Sequence, residues 1–290
     1  MNRRTFLNAT ATTLGLSAFG VRTHAASEPK RTELVDVNVN LSRWPLRRVR
    51  GDTTRELAAM LDRHGVTQGW AGSLDGLLHK DIASVNSRLA EECRTHARGR
   101  LLPFGSINPK LPDWEEDLRR CAEVHRMPGI RLHPNYHGYT LDDGDFGRLL
   151  RLATERRMIV QLALVMEDER MMHPLLRVGP VNTTPLVQLV KQTPGLRLVL
   201  LNALRTVRAQ SLLDLIASGE VYVEIAMLEG VGGIANLLEQ LPVDRLLFGS
   251  HAPLFYFESA LLKLKESPLN AEQLSAIRRL NAQRLLAKKH

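Results

Sequence analysis

The sequence predicts a single-domain (β/α)8 barrel of the TIM type. From residue 33 onward, short apolar runs alternate with longer amphipathic ones. The apolar runs are near-continuous, as parallel strands buried on both faces require. No G-x-G-x-x-G follows the first run, which argues against an open dinucleotide-binding sheet. The chain of 290 residues accommodates one barrel of about 250 residues.

The strands read at Leu34–Val39, Val66–Ala71, Leu101–Ile107, Gly129–His133, Met158–Ala163, Arg197–Asn202, Val221–Ala226 and Arg245–Ser250. Helical spacing fills the intervals. Thr53–His64 puts Leu57, Met60 and Leu61 on one face, a second helix carries Cys93, and Pro112–His125 carries Leu118, Cys121 and Ala122. Gly147–Glu155, Pro185–Gln192, Val207–Ser218, Gly230–Gln240 and Glu258–Glu266 continue the alternation, and a last helix spans Ala271–Leu286. Glycine or proline punctuates many returns to a strand, as at His64-Gly65, Pro128-Gly129 and Leu241-Pro242. The barrel therefore occupies residues 33–290, with no internal domain boundary.

The N-terminus reads differently. Arg3-Arg4 precedes Thr5-Phe6-Leu7, a weakly apolar run follows from Ala9 to Val21, and Thr23-His24-Ala25 is a small-x-Ala cleavage site. This order resembles a twin-arginine signal peptide over residues 1–25. It predicts passage through the twin-arginine export machinery to the periplasm or beyond. Loss of Arg3, Arg4 and Arg22 lowers the formal charge from +8 to +5. Export makes a disulfide chemically open to Cys93 and Cys121, but their helical positions predict two buried thiols.

Composition limits the partners. Arginines are spread over helices, as at Arg119-Arg120 and Arg156-Arg157, and aromatics are only 5%, so no basic patch interleaved with aromatics marks a nucleic-acid binder. No run beyond the leader has the ~20 apolar residues of a membrane span. A small-molecule substrate is expected, and homodimer formation is left open.

In this fold chemistry sits at the C-terminal ends of the strands. Strand one ends Asp36-Val37-Asn38-Val39-Asn40, with both asparagines on the barrel side. Strand two leads to Asp75. Strand four ends in Arg131-Leu132-His133-Pro134-Asn135-Tyr136-His137, where Arg131 and His133 share a face. Strand five leads to Glu167, Asp168 and Glu169, strand six to Asn202 and Arg205, and strand eight to Ser250-His251. Convergent polar side chains at one mouth point to a small-molecule site.

The Asp36-Val37-Asn38-Val39-Asn40, Gly129-to-Pro134 and Phe248-Gly249-Ser250-His251-Ala252-Pro253 elements together resemble the amidohydrolase superfamily, in its amidohydrolase-related branch of metal-dependent hydrolases and decarboxylases. The resemblance implies a metal centre built from His-x-His on strand one, a His after strand six and an Asp after strand eight. Here Asn38 and Asn40, Asn202 and His251 stand at those positions, and no His lies near Gln161–Ala163. Carboxamides are poor zinc ligands.

The leading expectation is a hydrolase acting without that metal on a lactone, ester or amide carbonyl. His251 would be general base and His133 general acid, and Asn38, Asn40 and Asn202 would stabilise an oxyanion. Arg131, Asn135, His137, Arg205, Glu167 and Asp75 would bind a substrate, anionic by the arginines. An alternative relocates one divalent ion to His133, His137 and His251, with Glu167 or Asp75. Another keeps the barrel as an exported, non-catalytic small-molecule-binding protein.

Overall fold

The computed structural model describes residues 33–287, apart from 97, 98 and 208. The twin-arginine motif and its cleavage site lie outside the described residues.

Eight parallel strands run in the order β1 to β8: β1 (Leu34–Leu41), β2 (Val66–Ser73), β3 (Leu101–Ser106), β4 (Gly129–Leu132), β5 (Ile159–Ala163), β6 (Arg197–Leu201), β7 (Glu220–Glu224) and β8 (Leu246–Leu247). The sheet closes on itself. The Val37 N–H donates to the Phe248 carbonyl at 3.0 Å and the Asn40 N–H to that of Ala252 at 2.8 Å. The expected (β/α)8 barrel is thus the observed one.

The helices are α1 (Thr54–Arg63), α2 (Ile82–His96), α3 (Trp114–Arg119), the single turn α4 (Pro134–His137), α5 (Gly144–Glu155), α6 (Leu186–Gln192), α7 (Ala209–Ala217), α8 (Gly233–Leu238), α9 (Phe257–Glu266), α10 (Ala271–Ser275) and α11 (Asn281–Ala287). Alternation along each strand sorts the core. In β5, Ile159 and Ala163 join one apolar cluster with Val199, Tyr222 and Leu247, while Val160 and Leu162 join another with helix residues such as Leu118 and Leu149. The first cluster fills the barrel and the second seals the helices onto it. Side chains on the inward-facing register of β4, β5 and β7 therefore enter the barrel whatever their polarity, which places Arg131, Gln161 and Glu224 there.

Strand β8 is shorter than the sequence suggests. Asp36 accepts the Ser250 N–H at 3.0 Å, so that donor is withdrawn from strand pairing, and His251 then takes a left-handed φ of 58°. Cys93 and Cys121 are both free and buried, and burial pushes each thiol up to about 12. This is the arrangement their helical positions predict.

Candidate active site

The barrel mouth is floored by one buried hydrogen-bond network. Arg131 rises from β4 and crosses the barrel. Its Nε donates to Gln161 Oε1 at 2.8 Å, and its Nη1 donates to the Val39 carbonyl at 2.8 Å and to Asn40 Oδ1 at 2.9 Å. Its Nη2 reaches the Trp70 carbonyl at 3.0 Å and lies 3.4 Å from that of Val37. The guanidinium is thereby spent on the protein itself and has no fork left for a substrate carboxylate. Gly72 makes the crossing feasible, since a Cβ there would stand 2.6 Å from Arg131 Cδ. Burial pulls Arg131 down to about 9, against the opposing pull of Asp36 and Glu224, so it stays cationic at neutral pH.

The asparagines meet around His251. Asn38 Nδ2 donates to Asn202 Oδ1 at 2.9 Å and to Glu224 Oε1 at 3.2 Å. Asn202 Nδ2 donates to the Val165 carbonyl at 2.7 Å. His251 Nε2 lies 2.8 Å from the Met166 carbonyl, which can only accept, so the proton sits on Nε2. Nδ1 is then the bare nitrogen, and it accepts from Asn40 Nδ2 at 3.2 Å and from Asn202 Nδ2 at 3.4 Å. Both ring nitrogens are occupied. Burial pulls the imidazole down to about 4, so it is neutral at physiological pH. Asn202 and His251 both hold left-handed φ values of 58°, a conformation uncommon outside glycine in which asparagine and histidine are among the enriched residues.

Two buried acids complete the floor. Glu224 accepts from the backbone N–H groups of Asn202 at 2.6 Å and Ala226 at 2.5 Å. Asp36 accepts from the N–H groups of Asn38 and Ser250, each at 3.0 Å, and from the Ser250 hydroxyl at 2.5 Å. Burial raises both carboxyls, Asp36 to about 7. Sequence reasoning missed Glu224, Gln161 and the anchoring part of Asp36. Their signal was present: charged or amide side chains inside near-continuous apolar strands need buried partners.

His133 differs from its neighbours. It is buried at the end of β4, and its Nδ1 has no hydrogen-bond partner among the described residues. Burial, then the nearby His137, Arg131 and His251, hold it well below the usual histidine range, so it too is neutral. His137 sits with its ring centroid 6.1 Å away, but its Nε2 is engaged with the Gly76 carbonyl at 2.7 Å.

The remaining expected residues do not converge on this floor. Glu167 is buried and pairs with Arg47 at 2.5 Å. Asp75 pairs with Arg88 at 3.1 Å, and Arg205 with Asp168 at 2.6 Å. Asn135 is directed away, donating to the Gly179 carbonyl at 2.5 Å. These groups ion-pair or bond locally because they emerge on loops, where a nearby opposite charge or carbonyl is the nearest partner. Trp44, after β1, and Tyr136, in α4, meet edge-to-face with ring centroids 6.4 Å apart.

The network matters for metal binding. A divalent ion would need imidazoles or carboxylates as ligands. At the positions the family resemblance assigns to ligands stand three carboxamides, Asn38, Asn40 and Asn202, and one imidazole with both nitrogens engaged. Among the described residues no group of three His, Cys, Asp or Glu side chains is placed to hold a metal ion, so the relocated set of His133, His137 and His251 with Glu167 or Asp75 does not assemble. The residues present do not fit a resident divalent ion.

The sequence profile described as amidohydrolase matches residues 41–288. The chain belongs to the amidohydrolase family. No curated protein sequence matches it. Solved structures share the family's architecture at low identity. Against 5-carboxyvanillate decarboxylase from Sphingomonas paucimobilis the TM-score is 0.70 at 13% identity, covering 88% of this chain and 99% of that one. Against a dihydroxybenzoic acid decarboxylase from Polaromonas, solved with manganese and the inhibitor 2-nitroresorcinol, it is 0.67 at 12% identity, covering 88% and 97%. The 2,6-dihydroxybenzoate decarboxylase from Rhizobium gives 0.65 at 14% identity, covering 88% and 98%. At such identities this amidohydrolase-family chain shares a fold with these enzymes, and its mouth must be read from its own residues.

Proposed function

We propose that this protein is a small-molecule-binding member of the amidohydrolase family, in which an internal hydrogen-bond network stands where metal-dependent relatives keep their hydrolytic or decarboxylating centre. One observation carries the reading. His251, at the position of the family's catalytic Asp, has both ring nitrogens bonded inside the protein and is neutral. A general base needs a free lone pair within reach of the proton it takes. An oxyanion hole likewise needs uncommitted donors, and those of Asn38, Asn40, Asn202 and Arg131 have partners in the protein. The ligand is a small molecule received at the C-terminal face of the strands.

A second reading is favoured by His133. Its buried Nδ1 has no partner among the described residues and the ring is neutral, which suits the acid–base group of a metal-independent hydrolase for lactones, esters or amides. Incubation of chelator-treated protein with a panel of lactones, esters, amides and aromatic carboxylates decides between them. Binding without product formation supports the first reading. Turnover lost in His133→Ala supports the second and overturns the first.

The leader motif supports a further proposal, that the protein acts after twin-arginine export, in the periplasm or outside the cell. No helix among the described residues is long and apolar enough to cross a membrane.

A further inference from the structure

The polar floor does not meet solvent. Asn38, Asn40, His133, Asn202 and His251 are each at most 2% exposed. Two loops close the mouth above them. The loop after β5 runs toward β8: its Val165 carbonyl accepts from Asn202 Nδ2 at 2.7 Å, and its Met166 carbonyl meets His251 Nε2 at 2.8 Å. The loop after β1 comes from the other side, since β1 and β5 stand opposite each other in a ring of eight strands. The two loops join where Arg47 pairs at 2.5 Å with Glu167, the residue after Met166.

The two covers are held differently. The β5 loop is bonded to the floor through its own backbone. Residues 43–50 are not: among the described residues, no backbone-to-backbone hydrogen bond ties them to another element. Side chains hold them instead. Trp44 is buried in the apolar cluster that fills the barrel and meets Tyr136 edge-to-face. Arg47 supplies the ion pair to buried Glu167, while Arg48 bonds only to Asp52 of its own loop. A segment with few backbone bonds and two side-chain anchors belongs to the low-stability end of a fold.

Both ends of the segment are sharp turns. Ser42 holds a left-handed φ of 67° and Gly51 one of 77°. Such positions are where a loop concentrates the backbone rotation of a hinge. At Gly51 nothing stands within 4 Å of the place a Cβ would take, so rotation there meets no obstacle. There is also room to move. Residues 47–51 form one wall of a cleft of about 800 Å³, with Phe255 and Tyr256 among its other walls.

We propose that residues 43–50 are a strap, hinged at Ser42 and Gly51, that gates the mouth, with Trp44 as its plug and the Arg47–Glu167 pair as its latch. The inference rests on the reading of the mouth as a small-molecule site and adds the control of access to that site. In the closed state Trp44 fills apolar space against Tyr136 of α4. In the open state the indole leaves that space, and His133, which immediately precedes α4, meets solvent with its unbonded Nδ1. Parting the latch leaves buried Glu167 without its countercharge, which keeps the closed state dominant. Opening breaks no backbone bond to another element, which keeps the open state within reach.

The test reads access to His133 directly. Diethyl pyrocarbonate acylates neutral imidazoles, and peptide mass spectrometry gives the rate at each histidine. In the wild type His133 should be labelled far more slowly than the exposed His173. Arg47→Ala and Trp44→Ala should each raise the His133 rate about tenfold or more and leave His173 unchanged. Cys93 and Cys121 should stay unreactive to a thiol reagent in both variants, which separates an open strap from an unfolded chain. Trypsin gives a second reading on the wild type, free of any folding defect in a variant. It should cut after Arg47, Arg48 or Arg50, and the nicked protein, its thiols still protected, should label at His133 as fast as the variants do. Wild-type labelling of His133 as fast as His173, a strap that trypsin does not cut, or a His133 rate indifferent to the variants and to nicking would each overturn the strap. Labelling as expected, with no compound of the substrate panel bound, would overturn the small-molecule reading and leave the strap standing.

Discussion

The bare Nδ1 of His251 accepts from Asn40 Nδ2 at 3.2 Å, and Asn40 Oδ1 in turn accepts from Arg131 at 2.9 Å. The first and eighth strands and the guanidinium that crosses the barrel are thereby tied through one carboxamide. Replacing Asn40 by His would put an imidazole where a two-sided amide is needed, so the present network and a metal-ligating strand one are alternatives at this position.

Arg131 anchors the floor. Arg131→Leu removes a charged donor from four buried acceptors, Gln161, Asn40 and the carbonyls of Val39 and Trp70. The expected loss is about 3–5 kcal/mol in urea denaturation. Arg131→Lys should recover part of it, because one ammonium can satisfy some but not all of these acceptors. A loss below about 1 kcal/mol would remove Arg131 from this role.

Asp36 sets a pH dependence with a definite sign. Its folded value, about 7, lies above the ordinary 3.8, so its contribution is fully present below the ordinary value and lost as pH rises through about 7. His251, pulled from 6.5 to about 4, works the other way, and its contribution is lost as pH falls through that window. In the wild type the two oppose each other between those limits. Asp36→Asn removes one of them. The variant should gain on the wild type by up to about 4 kcal/mol between pH 4 and pH 8, read as the difference in unfolding free energy. A difference that is flat with pH contradicts the raised carboxyl.

Much of this site was legible in the sequence. The strand alternation located every barrel strand, and the convergence of Asn38, Asn40, Asn202 and His251 followed from strand-end positions alone. The partners were not legible. Arg131 was expected to face a substrate, but the same inward register that exposes a side chain at the mouth lets a long one lie across the barrel, and only the neighbouring Gly72 hints at which occurs. Glu224 was hidden in an apolar strand because its meaning depends on Asn38 and Asn202, far away in sequence. Arg205, Asp75 and Glu167 found their countercharges on other loops or helices, and loop conformation is not encoded by a period.

The thiols offer a simple check of packing. Cys93 and Cys121 are buried and held up to about 12, so neither should react with a thiol reagent such as dithionitrobenzoate in the folded protein at pH 8. Both should react on denaturation without reductant. Reaction of only the reduced, denatured protein would mean that the two are joined.

Export is tested by fractionation. Arg3→Lys/Arg4→Lys should retain the chain inside the cell, because the twin-arginine route reads that pair. Unchanged appearance of the processed protein outside the cytoplasm would set the proposed route aside.

Metal titration followed by thermal unfolding tests the internal network most directly. A ligand that binds only the folded state must raise Tm in proportion to its affinity and concentration. Chelator-treated protein should show the same Tm with no metal, with manganese and with zinc, because amides and a spent imidazole stand at the expected ligand positions and no three metal-ligating side chains converge among the described residues. A metal-dependent rise in Tm, accompanied by one tightly held ion per chain in elemental analysis and lost in His251→Ala, would show that the floor is a metal centre.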